Sequence, residues 1–192
     1  VYAIRRRIFM SIVTFDKQNV KQSFSRAVDT YEQAAVVQKE VSKRMMERLQ
    51  LIKLKPKHIL DMGAGTGIDT EQLLSCYPKA RVVSMDFALP MLQRARKRGN
   101  WRRRPRVVCA DMERLPFADN SIDLLYSNFA LQWVNSLDTT FKDCLRVVRP
   151  GGLLMFSTLG PDTLKELRAA WGAVDDCAHV SPFMDMHDVG DI

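Results

Sequence analysis

Three aspartates and a run of glycines carry the chemistry legible in this chain. Gly63, Gly65 and Gly67 alternate with the small residues Ala64 and Thr66, and Asp61 stands two residues ahead of them. A residue without Cβ takes positive φ at little cost and lets a ligand lie against the backbone. A helix starting just after the turn aims its free N–H groups at that ligand. Asp86 follows the last glycine by about 20 residues, where a carboxylate can accept both hydroxyls of a ribose. Asp111 adjoins Met112, placing an acceptor for an amino group beside an apolar surface for a base, and Asn128 completes the series. The turn alone would serve several nucleotides. Its spacing departs from the dinucleotide fingerprint, which puts two residues between its last glycines, and an NAD site would give no reason for Asp111. No metal is expected: Cys76, Cys109, Cys144 and Cys177 are scattered, with no C-x-x-C pair and no nearby histidine. They read as free thiols of a reducing cytoplasm.

These residues need elements to hold them. From Val20 to Leu54 apolar residues recur at three- and four-residue spacing, which predicts two helices broken near Val28-Asp29-Thr30, with Tyr31 opening the second. A first strand, His58 to Leu60, leads into the glycine turn, and a helix over 68–76 follows it. A second strand, Arg81 to Met85, ends at Asp86, and Pro90 lies in the first turn of the next helix. A third strand, Arg106 to Cys109, precedes Asp111. The fourth, Ser121 to Tyr126, leads to Asn128 and the apolar segment Phe129 to Val134. A helix from Leu137 to Val148, a fifth strand from Leu153 to Thr158, and a helix from Thr163 to Trp171 capped by Asp162 complete the pattern. Alternating strands and helices predict a doubly wound, mostly parallel α/β sheet with right-handed crossovers. Each acid then falls at the carboxyl end of a strand, where open sheets bind ligands.

At 192 residues the chain suits one domain with a proper core. The formal charge of +7 favours acidic partners such as nucleic acid, anionic lipid or an acidic protein. No apolar run reaches the roughly 20 residues of a membrane span. Residues 1–19 begin with Arg5-Arg6-Arg7 and an apolar run but lack a small-x-small cleavage site, so they are expected to be a disordered basic extension.

The Asp61–Gly67 turn resembles motif I of the class I S-adenosylmethionine methyltransferases, in which the acid helps to hold the methionyl amine. Three further segments are more selective: residues 23–38, Ser127 to Trp133, and Phe156 to Trp171 followed by Val174-Asp175. They resemble the malonyl-[acyl-carrier protein] O-methyltransferase family of biotin synthesis, and the similarity runs from about Val20 to the end of the chain. Ala64 replaces a cysteine frequent in that family, a small-for-small change.

The resemblance implies a Rossmann-like class I methyltransferase sheet with N-terminal helices, spanning 20–192. The cofactor is S-adenosylmethionine, leaving as S-adenosylhomocysteine. Its binding set is Asp61, Gly63, Ala64, Gly65, Gly67, Asp86, Phe87, Asp111, Met112 and Asn128. The reaction implied is methylation of the free carboxylate of a malonyl thioester on an acidic acyl-carrier protein. A sulfonium carbon is electrophilic and a carboxylate is anionic, so alignment and exclusion of water supply most of the catalysis and no general base is needed. Tyr31 would shape the transfer pocket, and Gln132 and Trp133 would hold the substrate carboxylate and exclude water. Trp133 reads equally as a core indole, Tyr31 as helix packing and Arg26 as a surface charge. The basic run from Arg94 to Arg104 fits the carrier protein; RNA is the competing partner, though no stacking motif accompanies it. Methylation of another small acid, or donor binding without transfer, are the other readings. The closing strand hairpin of the class is expected to be missing, which would leave the fifth strand as an edge able to pair in a dimer.

Overall fold

A computed structural model describes residues 16–175 and 183–192. Of the expected disordered extension over residues 1–19, residues 1–15 lie outside the described residues, as does Cys177, and residues 16–19 are instead the cap and first turn of a helix. Helix α1 (Lys17–Ala27) starts ahead of the expected Val20 because the Asp16 carboxylate accepts from the Gln18 and Asn19 N–H groups, a side-chain N-cap. The break falls at residues 28–30 as the spacing predicts. The second helix is in fact two, α2 (Tyr31–Ala34) and α3 (Val36–Leu51), because Ala35 leaves helical geometry at ψ 47°.

Five strands follow: β1 (His58–Met62), β2 (Arg81–Asp86), β3 (Arg106–Cys109), β4 (Ile122–Asn128) and β5 (Val148–Ser157). Between them run α4 (Ile68–Cys76), α5 (Leu89–Ala95), a 3₁₀ turn (Leu131–Trp133) and α6 (Leu137–Val147); α7 (Lys165–Gly172) and α8 (Met186–Gly190) come last. All pairings are parallel, in the order β3-β2-β1-β4-β5. The order reverses between β1 and β4, so a crevice opens beyond the carboxyl ends of those two strands.

Both faces of the sheet are covered. Along β4, Leu125 packs with Leu60, Met62 and Met85 against Cys144 and Val147 of α6. Its neighbours Leu124 and Tyr126 point the other way, onto Met45, Met46 and Leu49 of α3 and Leu73 of α4. Alternate residues thus enter opposite cores, which is why the central strands read as nearly continuous apolar runs.

Two expectations are corrected. The fifth strand begins at Val148, through Pro150-Gly151-Gly152, where the register slips between the Ile122–Val148 and Leu124–Leu153 pairs. A bulge there tolerates a residue without N–H and a glycine at φ 77°. Asp162 does not cap α7: Leu164 occupies that position at φ 56° with no side-chain cap. The left-handed residue turns the chain away from the Asp162 carboxylate, which lies 3.8 Å from Lys165 Nζ instead. Among the described residues no strand follows β5, so β3 and β5 are the sheet edges, and no helix is long and apolar enough to cross a membrane.

Candidate active site

The glycine turn sits at the switch point. Gly63 and Ala64 both donate backbone N–H bonds to the Met85 carbonyl, at 2.8 and 2.9 Å, which pins the end of β1 to β2. Gly63, Gly65 and Gly67 all take positive φ, and Gly67 opens α4. Asp86 spans the turn from the next strand. Its Oδ2 accepts from Gly65 N at 2.9 Å and its Oδ1 from Ala88 N at 2.8 Å, so the carboxylate keeps acceptor capacity for a further donor.

Two clefts meet around this turn and share Tyr31, Gly63 and Asn128. One is walled by Phe24, Gly65, Asp86, Phe87, Met112, Phe129, Ala130 and Trp133. The other is walled by Gln38, Lys39, Ala64, Thr66, Ile68 and Asp69. The first is aromatic: the Phe24 ring makes edge contacts with Tyr31 and Phe87 at 6.2 Å and with Trp133 at 5.5 Å and 90°. Trp133 is half-buried in this wall and belongs to neither core cluster. Tyr31 lies over Gly65, so that a Cβ built there would be 3.8 Å from its Cε1.

The second cleft carries one carboxylate, Asp69, and one ammonium, Lys39, the latter donating to the Glu32 carbonyl. The Asp69 carboxylate accepts from Ser42 Oγ, from Asn128 Nδ2 at 3.0 Å and from Tyr126 Oη at 3.3 Å. Burial nevertheless pushes it above the usual carboxylate range, against the pull of those hydrogen bonds. Burial raises Asp86 too, opposed by the Ala88, Gly65 and Phe87 N–H groups. Asp61 is raised well above that range by burial and by the Asp69 charge. Burial, then Asp86 and Asp69, also raise Tyr31. Three carboxylates therefore share a small volume, and among the described residues none of them forms an ion pair with a lysine or arginine. Thr66 is 1% exposed, lines this cleft, and its hydroxyl has no hydrogen-bond partner among the described residues. Buried polar groups of this kind are normally satisfied. The pair of features fits a cationic ligand carrying a polar group.

The other expected site residues stand apart from the walls. Asp61, 1% exposed, lies under the turn with its Oδ2 accepting from Thr70 Oγ1 at 2.5 Å. Asp111 faces α1, where Lys17 Nζ bridges it and Glu113 at 2.5 Å each. Gln132 turns into its own 3₁₀ turn, donating to the Phe129 carbonyl at 2.8 Å. Sequence reasoning missed Phe24, Asp69 and Thr66. Phe24 was visible only as a helical apolar position. Asp69 reads as an ordinary first-turn acid of α4 until β4 brings Tyr126 and Asn128 against it. No group of three or more His, Cys, Asp and Glu among the described residues is disposed to hold a metal.

Residues 60–156, half of the chain and the whole of the turn and its neighbouring strands, match the family described as "Methyltransferase domain". The chain belongs to the methyltransferase-domain family. Its sequence is 50% identical over 189 residues to the malonyl-[acyl-carrier protein] O-methyltransferase of Gallionella capsiferriformans, covering 95% of this chain and 65% of that protein. Identity to the enzyme of the same name from Halorhodospira halophila is 48%, covering 93% of this chain and 60% of that one. The methyltransferase chain thus spans just under two thirds of the length of these curated relatives. A solved methyltransferase structure from Thermotoga maritima superposes with TM-score 0.65 at 20% identity over 88% of this chain and 76% of that one, which shows the shared fold.

The methyltransferase site carries one prediction on stability. Because Asp69 has a raised pKa in the folded state, the native protein binds its proton more tightly than the unfolded chain does. Its contribution is therefore unfavourable at neutral pH and fades as pH falls toward the ordinary carboxylate range. Asp69→Asn is expected to raise the thermal midpoint of the ligand-free protein at pH 7 by about 3 °C. It should also flatten the dependence of the midpoint on pH just above the ordinary carboxylate range. Thermal melts of both proteins across that range check this; a lowered midpoint at pH 7 would show that the Ser42, Tyr126 and Asn128 hydrogen bonds outweigh the buried charge.

Proposed function

We propose that the paired clefts bind S-adenosylmethionine and that the chain carries the donor site of an O-methyltransferase. This enzyme would esterify the free carboxylate of a malonyl group borne by an acyl-carrier protein. The observation that carries the reading is the 50% identity across 95% of the chain to a protein of that named activity. The walls fit the donor at both ends. Asp86, with acceptor capacity to spare, accepts ribose hydroxyls; Phe87 and Met112 flank the base. Asp69 faces the ammonium group and Thr66 supplies a hydroxyl beside it. Asp61 acts from below, holding Thr70 and through it the start of α4.

When bound, S-adenosylmethionine supplies a methyl group on a positively charged sulfur. The protein's own task is to align a carboxylate with it and exclude water, so no side chain has to take up a proton. Tyr31, Phe24 and Trp133 form an apolar ceiling over Gly65, and a carboxylate under it is less solvated and more nucleophilic. Removal of the Phe24 ring opens that ceiling. Phe24→Ala is expected to raise the Kd for S-adenosylmethionine about tenfold, corresponding to about 1.4 kcal/mol, as read by calorimetric titration; an unchanged Kd would show α1 to be uninvolved.

The reaction is tested with isotope-labelled S-adenosylmethionine and malonyl-carrier protein. The expected product is a methyl ester on the carrier protein that alkali releases as methanol. Label entering RNA instead, or donor binding without transfer to any acid, would overturn the substrate assignment while leaving the donor site in place.

A further inference from the structure

The basic stretch from the end of α5 to the start of β3 divides into two sets of cations with different fates. Arg94 pairs with Asp29, and Arg98 with Glu32 and Glu71. Arg98 Nε also donates to the Thr66 carbonyl at 3.0 Å, fastening the stretch to the glycine turn. Arg103 donates to the Leu74 and Tyr77 carbonyls at 2.7 and 3.1 Å, satisfying the C-terminal end of α4. Arg98 and Arg103 are consumed in holding the segment along the flank of α4, from its first turn to its last, and Arg94 in tying α5 to the break before α2.

Arg96, Lys97, Arg102, Arg104 and Arg106 are exposed and pair with no acid among the described residues. Trp101, 78% exposed, stands among them with the Arg102 guanidinium 4.4 Å from its ring centre. Large exposed aromatics rimmed by arginine are typical of contact surfaces rather than of idle solvent-facing segments. Five like charges within one short stretch repel one another, and they are not offset locally. Arg98, the chain neighbour of Lys97, pairs with Glu32, which is next to Tyr31 in the cleft wall.

We propose that this face, with Trp101 at its centre, docks the acidic carrier protein and so delivers the tethered acyl group to the neighbouring cleft. The inference rests on the reaction proposed above, and it adds where the macromolecular part of the substrate binds. Charge complementarity of this sort acts mainly on encounter, so its signature is in KM and in salt dependence rather than in the chemical step.

The experiment compares two malonyl substrates, the carrier-protein thioester and the small pantetheine thioester, in the parent, in Arg96→Glu with Lys97→Glu, and in Arg102→Glu with Arg104→Glu. KM for the carrier-protein substrate should rise about tenfold in each pair, with kcat within about twofold and kinetics on the small thioester unchanged. The difference should shrink at about 0.5 M salt, where the Debye length falls to a few ångströms. An unchanged KM for the carrier-protein substrate overturns the proposal. So does an equal loss on both substrates that persists in the milder Arg96→Gln with Lys97→Gln pair. If the parent methylates neither substrate, the proposed reaction fails, and docking is read directly by titrating unacylated carrier protein: loss of binding in the reversed pairs supports this face, equal binding refutes it. Tighter binding of a single-stranded RNA oligomer, lost in the same variants, would mark a nucleic-acid surface and overturn the assignment.

Discussion

Asp86→Ala is expected to weaken S-adenosylmethionine binding at least a hundredfold. The side chain is buried, with the residue 7% exposed, and it does two things at once. It satisfies the Gly65 and Ala88 N–H groups, which fixes the turn, and in the proposed donor site its remaining acceptor capacity would take the ligand's hydroxyls. A hydrogen bond to a charged acceptor is worth about 1.5–3 kcal/mol, so losing two of them removes about 3 kcal/mol or more, two decades in Kd. Leaving the turn without its acceptor adds to the loss. Asp86→Asn keeps the shape but only one acceptor oxygen, and should fall between the two. Calorimetric titration reads all three proteins, with thermal melts to establish that each is folded. A Kd for the alanine variant within about threefold of the parent would remove Asp86 from the site.

Gly63→Ala is expected to lower the thermal midpoint by about 10 °C. A Cβ at this position would lie 2.2 Å from the Ala130 Cβ, and the residue holds φ at +77°. Overpacking costs about 1–3 kcal/mol and a left-handed alanine about 1–2 kcal/mol. Together these approach 3 kcal/mol, or about 10 °C for a chain of this size. Gly151 is the control. It has the same φ of +77°, but a Cβ there meets nothing within 4 Å, so Gly151→Ala should cost only the backbone term, about 3 °C. Combining Gly63→Ala with Ala130→Gly removes the colliding methyl and should recover much of the difference. Equal effects at the two glycines would mean that backbone strain, and not the approach of β1 to the β4 exit, decides the matter.

The elements were largely legible. Helix α4 over 68–76, β2 ending at Asp86 and β3 over 106–109 fall where periodicity and punctuation put them, because each is a short unit bounded by proline, glycine or aspartate. The misreadings occur where backbone geometry overrides local pattern. Ala35 splits a helix that looks continuous, Pro150-Gly151-Gly152 is absorbed into a bulged strand instead of preceding one, and Leu164 in a left-handed conformation cancels the cap expected from Asp162.

The site divides along the same line. The alternation of strands and helices and the spacing of glycines and acids by themselves pointed to a candidate site at the carboxyl ends of the strands, since both are properties of the chain taken in sequence. Which acids face the clefts was decided only in three dimensions. Asp61 is closed off by Thr70 and Asp111 is engaged by Lys17, whereas Asp69, unremarkable in a helical first turn, is turned into the cleft by Tyr126 and Asn128 from a strand more than fifty residues away. A carboxylate's role depends on its desolvation and on the charges around it, and those are set by what other segments fold against it.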